Sequence, residues 1–408
     1  MLTNEEKRIE IYTNNQKPTD PSSVNSETPL NSLNLNWREI DLPEKARTKH
    51  VHRLHPYLGK FIPQLVEIFL RKYFKHGQTV LDPFCGSGTT LVQANELGIN
   101  SIGFDISEFN VLITKAKTAK YDLGIAKKEI HDILEKLRSS IQKDNIQLNL
   151  LKPETYSIEI TVTNNEYLNR WFDQKARNEL LTYKYLIDKE SYKYKILMKV
   201  ILSRSARSAR LTTHFDLDFP KKPQTEPYYC YKHSRICKPT NEAFKFLQRY
   251  SLDTIRRLEE YSYLQTDAKV EVNHADCRVT DFSLVDGVIT SPPYVGLIDY
   301  HEQHAYGYHL LDLDDNRDCE IGAAANGSSI KAKEDYKKDI AEVFIRVLKA
   351  IPRGGRIIVI AGDRANLYDD IAKLVGIETE AIVKRHVNRR TGRRANEFYE
   401  SVFIWKKK

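Results

Sequence analysis

The sequence predicts an α/β fold, a mostly parallel sheet interrupted by a long, mostly helical insertion. Three observations lead there. Within residues 79–106 a short apolar strand (TVLD), a glycine-rich turn, a helix and a second strand (NSIGFDI) follow one another, which is the βαβ unit of a parallel sheet. The same texture returns from about residue 269, with VEVNHADC and VDGVITSPPY. Between these stretches, residues 121–268 are rich in Lys, Tyr and Leu and read mostly as helices.

Residues 1–36 are rich in Asn, Ser, Thr, Pro and Glu with few large apolar side chains, so a loosely ordered tail is expected. After His55-Pro56-Tyr57 the chain enters FIPQLVEIFLRKYF. Its helical periodicity, Pro63 in the first turn and Gly77 beyond the end mark a helix. TTLVQANEL reads as a helix stopped by Gly98. Inside the insertion, DFPKKPQTEPYYCYKHSRICKP carries four prolines, which argue against regular structure there. Beyond it come a helix (DYKKDIAEVFIRVLKAI), a Gly354-Gly355 turn and the strand RIIVIAGD. ETEAIVKRH and EFYESVFIWKK read as the last strands, joined by a basic turn holding Arg389, Arg390, Arg393 and Arg394. The expected division is a tail at 1–36, a sheet domain at 37–120 and 269–408, and the insertion at 121–268.

The chain has 408 residues, 41% of them hydrophobic, enough for a sizeable core and too many for a wholly disordered chain. No run approaches the roughly 18 uninterrupted apolar residues of a membrane span. The polar start lacks a signal-peptide core, so a cytoplasmic location with no membrane partner is expected. Five scattered cysteines (Cys85, Cys230, Cys237, Cys277, Cys319) do not make a disulfide scaffold. The net charge of +8 is uneven. Residues 195–240 hold ten Lys/Arg against three Asp/Glu, and residues 384–408 nine against two, while the rest of the chain is net acidic. Two basic patches on an acidic body point to a polyanionic partner, most simply nucleic acid, although solvated faces would look the same.

LDPFCGSGTTLVQA follows the first strand and opens a helix. Gly86 and Gly88 allow a tight turn and close backbone approach to a ligand, and nearby helix-start amides favour an anionic or polar group. No Lys follows Gly88, so this is not a phosphate-binding P-loop, and Leu91 stands where a dinucleotide fingerprint has its third glycine. Asp105 ends the next strand, where an acidic group can accept both hydroxyls of a ribose. A nucleoside cofactor without a pyrophosphate fits best.

At this point the chain resembles a family. Asp82-Pro83-Phe84-Cys85-Gly86-Ser87-Gly88-Thr89-Thr90 resembles the S-adenosylmethionine motif of DNA amino-methyltransferases, which methylate exocyclic amines of cytosine or adenine. HPYLGKFIP, including Phe61, is similar to the segment packing over the cofactor's methionine end, and Asn273-His274-Ala275-Asp276-Cys277-Arg278 to the motif whose Asp meets the adenine amine. The resemblance covers residues 50–120 and 270–408. It implies a Rossmann-like class I methyltransferase, with a mostly parallel seven-stranded sheet and an antiparallel C-terminal strand. It also implies S-adenosyl-L-methionine held by Asp82, Pro83, Phe84, Gly86, Ser87, Gly88, Thr89, Asp105, Ile106, Asp276 and Cys277 as well as Phe61.

Ser291-Pro292-Pro293-Tyr294 follows the strand DGVI and matches the family's catalytic element. An exocyclic amine is a poor nucleophile, because its lone pair is delocalised into the ring. Acceptors around its N–H bonds favour the pyramidal nitrogen that attacks a methyl group. Ser291 Oγ and the Pro292 carbonyl are such acceptors, and Tyr294 offers a face for an extruded base, with in-line positioning supplying the rest. Within the family, Ser at the position of Ser291 more often accompanies cytosine N4, whereas Asp or Asn there often accompanies adenine. The resemblance therefore implies double-stranded DNA as substrate and a cognate restriction endonuclease as a possible companion. Adenine N6 in the same scaffold, a tRNA or rRNA guanine-N2 methyltransferase and a catalytically silent DNA-binding protein remain the alternatives.

The insertion lies outside the resemblance and is the natural target-recognition region. Arg204, Arg207 and Arg210 recur every third residue, as a stripe that would suit phosphates or guanine edges. Lys221, Lys222, Lys232 and Arg235 interleave with tyrosines on the proline-rich loop, a mix suited to the DNA backbone. Cys230, His233 and Cys237 have the spacing of three zinc ligands. A structural zinc normally takes four, no fourth is obvious, and no metal is expected. His301, Glu302 and His304 are not a zinc motif and are expected either in the cleft after Ser291–Tyr294 or in core hydrogen bonds.

Overall fold

The computed structural model describes residues 8–10, 17–147, 163–387 and 398–408. In chain order its strands are β1 (Arg8–Glu10), β2 (Thr79–Asp82), β3 (Asn100–Asp105), β4 (Tyr228–Cys230), β5 (Arg235–Cys237), β6 (Val270–His274), β7 (Gly287–Thr290), β8 (Arg356–Ala361), β9 (Glu378–Val387) and β10 (Phe398–Lys406). Its helices begin with α1 (Glu44–Arg47), α2 (Pro63–Tyr73), α3 (Thr89–Glu96), α4 (Glu108–Thr118) and α5 (Leu123–Gln147). They continue with α6 (Glu166–Trp171), α7 (Gln174–Lys189), α8 (Lys195–Ala209) and α9 (Phe244–Ser262), then α10 (Tyr300–Gln303), α11 (Ala305–Leu311), α12 (Ile330–Ala350) and α13 (Leu367–Val375).

Among the described residues, eight strands form one sheet in the order β1-β9-β10-β8-β7-β2-β3-β6. β6, β3, β2, β7 and β8 run parallel, and β10 is antiparallel to both β8 and β9. This is the expected seven-stranded sheet with its antiparallel C-terminal strand, extended at one edge by β1, which pairs parallel with β9. The strands read as continuous apolar runs because helices cover both faces. Ile357, Ile358, Val359, Ile360 and Ala361 of β8 are all fully buried. From β2 the chain builds outward to β3 and β6 on one side, while β7 and β8 lie on the other. The carboxyl ends of β2 and β7 therefore flank a topological switch point, where such sheets open a ligand crevice.

One boundary differs from expectation. Residues 17–36 are not a loose tail. Val24, Leu33 and Leu35 are buried in the same core as Phe69, Ile358 and Val402, and the Thr19 amide donates to the Asn34 carbonyl at 2.8 Å. Their few apolar side chains are spaced to cover α2, which composition alone does not reveal. The described residues of 121–268 are mostly helical as expected, and their buried side chains share a core with the sheet domain. Tyr183, Met198, Ile201 and Leu258 share one cluster with Phe109 and Ile113 of α4 and with Tyr306 of α11. The proline-rich centre also holds regular structure, the short β4–β5 hairpin between Pro227 and Pro239. The basic turn at 389–394 lies outside the described residues.

Candidate active site

The turn after β2 is shaped by two glycines with positive φ, Gly86 at 50° and Gly88 at 78°. A Cβ on Gly88 would lie 2.6 Å from Thr114 Cγ2, so both dihedral and space require glycine. Asp105, at the end of β3, anchors the turn. Its Oδ2 accepts from the Gly86 amide at 2.8 Å, and its Oδ1 from the Ser107 amide at 2.9 Å and from Asn110 Nδ2 at 3.1 Å. Burial pushes its pKa up, and the hydrogen bonds pull it down.

Asp82 ties this turn to the neighbouring strand. It is buried, and its Oδ1 accepts from the Phe84 amide at 3.2 Å and from Thr290 Oγ1 at 2.6 Å. Burial raises its pKa to about 6, against the pull of those hydrogen bonds. Thr290 ends β7 and directly precedes Ser291. Two stretches some two hundred residues apart in sequence are thus joined side chain to side chain. Behind them, the Pro293 carbonyl accepts from Tyr336 Oη at 2.9 Å, and Tyr336 pairs with Tyr368 Oη at 2.8 Å. Tyr294 Oη donates to Glu400 at 3.4 Å, and Glu400 is held by Arg385 at 2.8 Å.

The two stretches open onto one cleft. Of the residues expected there, Phe61, Pro83, Phe84, Gly86, Ser87, Thr89, Asp105, Ile106, Asp276, Cys277, Ser291 and Pro293 form its walls. Asp82, Gly88, Pro292 and Tyr294 are not among the lining residues. Asp276 is held by Arg278 at 2.7 Å, and Cys277 Sγ donates to the Pro83 carbonyl at 3.1 Å.

Further walls come from Tyr57, Lys60, Ser107, Asn110, Tyr300 and Glu320, which sequence reading did not single out. Tyr57 and Lys60 sit within HPYLGKFIP, so a signal for them existed; nothing in the sequence marks Tyr300 or Glu320. Lys60 is pulled down to about 8 by burial and by Arg53. Its Nζ donates to the His52 carbonyl at 2.9 Å. His301 is buried against Glu320, and His304 is buried between Tyr57 and Phe109, at 5.4 and 4.9 Å between ring centres. Burial lowers His304 to about 3, so it stays neutral. Both histidines serve the core, and Glu302 is exposed. Three buried polar atoms of wall residues, Ser87 Oγ, Asn110 Oδ1 and Glu320 Oε2, have no hydrogen-bond partner among the described residues. A cleft with a strand-end carboxylate, glycine-turn amides and spare acceptors fits a cationic nucleoside such as S-adenosylmethionine.

A family model described as DNA methylase matches residues 2–116. The type II methyltransferase M.MjaII of Methanocaldococcus jannaschii is 38% identical over 430 residues, spanning 89% of this chain and 81% of that one. The protein belongs to the DNA amino-methyltransferase family. Its methyl donor is S-adenosylmethionine. M.BsoBI of Geobacillus stearothermophilus is 23% identical over 334 residues, spanning 73% of this chain and 61% of that one. Among solved structures, the rRNA methyltransferase aviRa of Streptomyces viridochromogenes aligns with 91% of this chain and 96% of its own, at 12% identity and a TM-score of 0.35.

In this methyltransferase the arginine stripe of α8 does not face solvent. Arg204 is buried, ion-paired with Asp253 at 2.8 Å and stacked on Tyr250 at 4.2 Å. Arg207 pairs with Asp218. Arg210 is buried, donates to the Leu217 carbonyl at 2.6 Å and lies over the Tyr306 ring at 4.6 Å. These guanidinium groups tie the insertion together and bind it to α11, because three charges at helical spacing fit equally well against Asp253, Asp218 and two aromatic rings. Lys221, Lys222, Lys232 and Arg235 are exposed. No helix among the described residues is long and apolar enough to cross a membrane.

Proposed function

We propose that this methyltransferase modifies the exocyclic N4 amine of cytosine in duplex DNA, in the cytoplasm, at sites shared with a cognate restriction endonuclease. The observation that carries the reading is the common wall, with Ser291 and Pro293 on one cleft with Gly86, Asp105 and Asp276. Serine at position 291 supports cytosine, since in the family that residue more often accompanies N4 chemistry than Asp or Asn does. Asp105 would hold the cofactor's ribose hydroxyls, Asp276 its adenine amine, and Phe61, Phe84 and the amides around Gly86 and Ser87 its flanks. When bound, S-adenosylmethionine supplies an electrophilic sulfonium methyl. Ser291 Oγ and the Pro292 carbonyl accept hydrogen bonds from the two amine N–H groups, which turns the nitrogen lone pair out of conjugation and toward the donor. The nitrogen becomes acidic as it gains its methyl group, and its proton leaves along one of these hydrogen bonds. Tyr294 stacks the base lifted from the duplex, worth about 1–3 kcal/mol. Lys221, Lys222, Lys232 and Arg235 contact the DNA backbone.

Incubation with methyl-labelled cofactor and separate duplex DNA and RNA, followed by digestion to nucleosides, tests this directly. N4-methylcytosine from DNA is expected; N6-methyladenine, or label only in RNA, refutes it. Ser291→Ala should lower kcat by roughly 10²–10³-fold with cofactor affinity nearly unchanged. Equal losses in both would remove Ser291 from its assigned role.

A further inference from the structure

Residues 213–242 link α8 to α9 and include the β4–β5 hairpin. Of these thirty residues only Cys230 is buried. Five of the segment's seven large apolar side chains, Phe215, Phe219, Tyr229, Tyr231 and Ile236, are at least half exposed, and Leu217 and Tyr228 are only partly buried. A two-stranded hairpin with no apolar face against a core is marginal in water, so this one needs another source of order.

At its centre the fold gathers His214, Cys230, His233 and Cys237, whose ligand atoms all lie within 4.8 Å of one another. Cys230 ends β4 and Cys237 ends β5, and the turn between them carries His233 beside Ser234 at φ 51°. His233 Nδ1 lies 3.6 Å from Cys230 Sγ and 3.4 Å from Cys237 Sγ. The His214 ring packs edge-on to that of His233, with 4.7 Å between ring centres. A tetrahedral zinc with bonds of roughly 2.0–2.3 Å holds its nitrogen and sulfur ligands about 3.3–3.8 Å apart. Hydrogen bonds are a poorer account of the arrangement, because one imidazole nitrogen carries either a single proton or a single lone pair and would have to share it between two sulfurs. Sequence spacing offered three ligands; the fourth, His214, comes from the far side of the proline-rich stretch, and only the fold brings it in.

We propose that His214, Cys230, His233 and Cys237 bind one structural zinc ion. Two thiolates and two imidazoles suit zinc rather than magnesium or calcium, and four protein ligands make a closed site with no position for a reacting molecule. The ion takes the place of the missing core. It also fixes the hairpin that displays Lys232 and Arg235, but the metal site stands whether or not those residues touch DNA.

The test is the metal content of the full chain, purified without chelator and without a histidine tag. One zinc per chain, kept through gel filtration and lost from His214→Ala and Cys237→Ser, is expected. Should those variants fail to fold, the wild-type chain still decides. Replacing zinc by cobalt should give the visible bands of a tetrahedral site and a thiolate charge-transfer band. Stripping the metal should speed proteolytic cleavage within residues 213–242 while the sheet domain stays intact. Zinc well below one per chain, zinc retained by both variants, cobalt without these bands, or a native Cys230–Cys237 disulfide would each overturn the proposal.

Discussion

Thr290→Val is isosteric and removes one hydroxyl, the one that donates to the buried Asp82 carboxylate at 2.6 Å. A hydrogen bond to a charged group is worth about 1.5–3 kcal/mol, and one to a neutral group about 1 kcal/mol. Burial raises Asp82 to about 6 from its ordinary 3.8. The native state therefore binds an extra proton between these values, and the contribution of Asp82 to stability falls as pH rises from 4 to 6 and then levels off. Losing the Thr290 hydroxyl raises the carboxyl further, because that bond favours the ionised form. The additional loss then appears only above pH 6. Urea unfolding should show a destabilisation of about 1 kcal/mol at pH 5 and about 2–3 kcal/mol at pH 8. In an Asp82→Asn background the pH dependence should vanish, since no charge remains. Equal destabilisation at both pH values, or the same pH dependence without Asp82, would refute the view that this bond clamps the cofactor turn to the strand bearing Ser291.

Three further outcomes follow from the geometry. Affinity for S-adenosylhomocysteine, measured by calorimetry, should weaken as pH rises through about 8, where Lys60 loses its charge, and Lys60→Met should flatten that profile. Gly88→Ala should cost about 1–2 kcal/mol for the positive φ alone, plus the displacement of Thr114, whose hydroxyl donates to the Gly86 carbonyl at 2.9 Å. Thermal unfolding should show Thr114→Ala recovering the steric part only. Arg210→Ala should lower the melting temperature and leave the salt dependence of DNA binding unchanged, whereas Lys232→Ala should leave stability alone and reduce the salt slope by about 1.

The sheet was legible because its strands are apolar runs separated by glycine turns, and the period of such runs survives any tertiary context. The cofactor turn and Ser291–Tyr294 were legible for a different reason: their residue types answer local demands, positive φ at Gly88 and a fixed carbonyl at Pro292. Positions that depend on long-range packing were not. Arg204 and Arg210 look like a surface stripe until Asp253 and Tyr306 are seen against them. Val24, Leu33 and Leu35 look sparse until α2 lies beneath them. Tyr300 and Glu320 reach the cleft through the chain after β7, whose path no local pattern encodes, and His214 joins the cysteine hairpin in the same hidden way.

The sharpest examination of the whole account is a crystal structure of the enzyme with S-adenosylhomocysteine and a duplex oligonucleotide carrying its target site. It should find the cofactor's ribose on Asp105 and an extruded cytosine whose amino nitrogen sits between Ser291 Oγ and the cofactor's sulfur. A cofactor bound outside the cleft walled by Gly86 and Ser291, or a base still stacked in the helix, would contradict it.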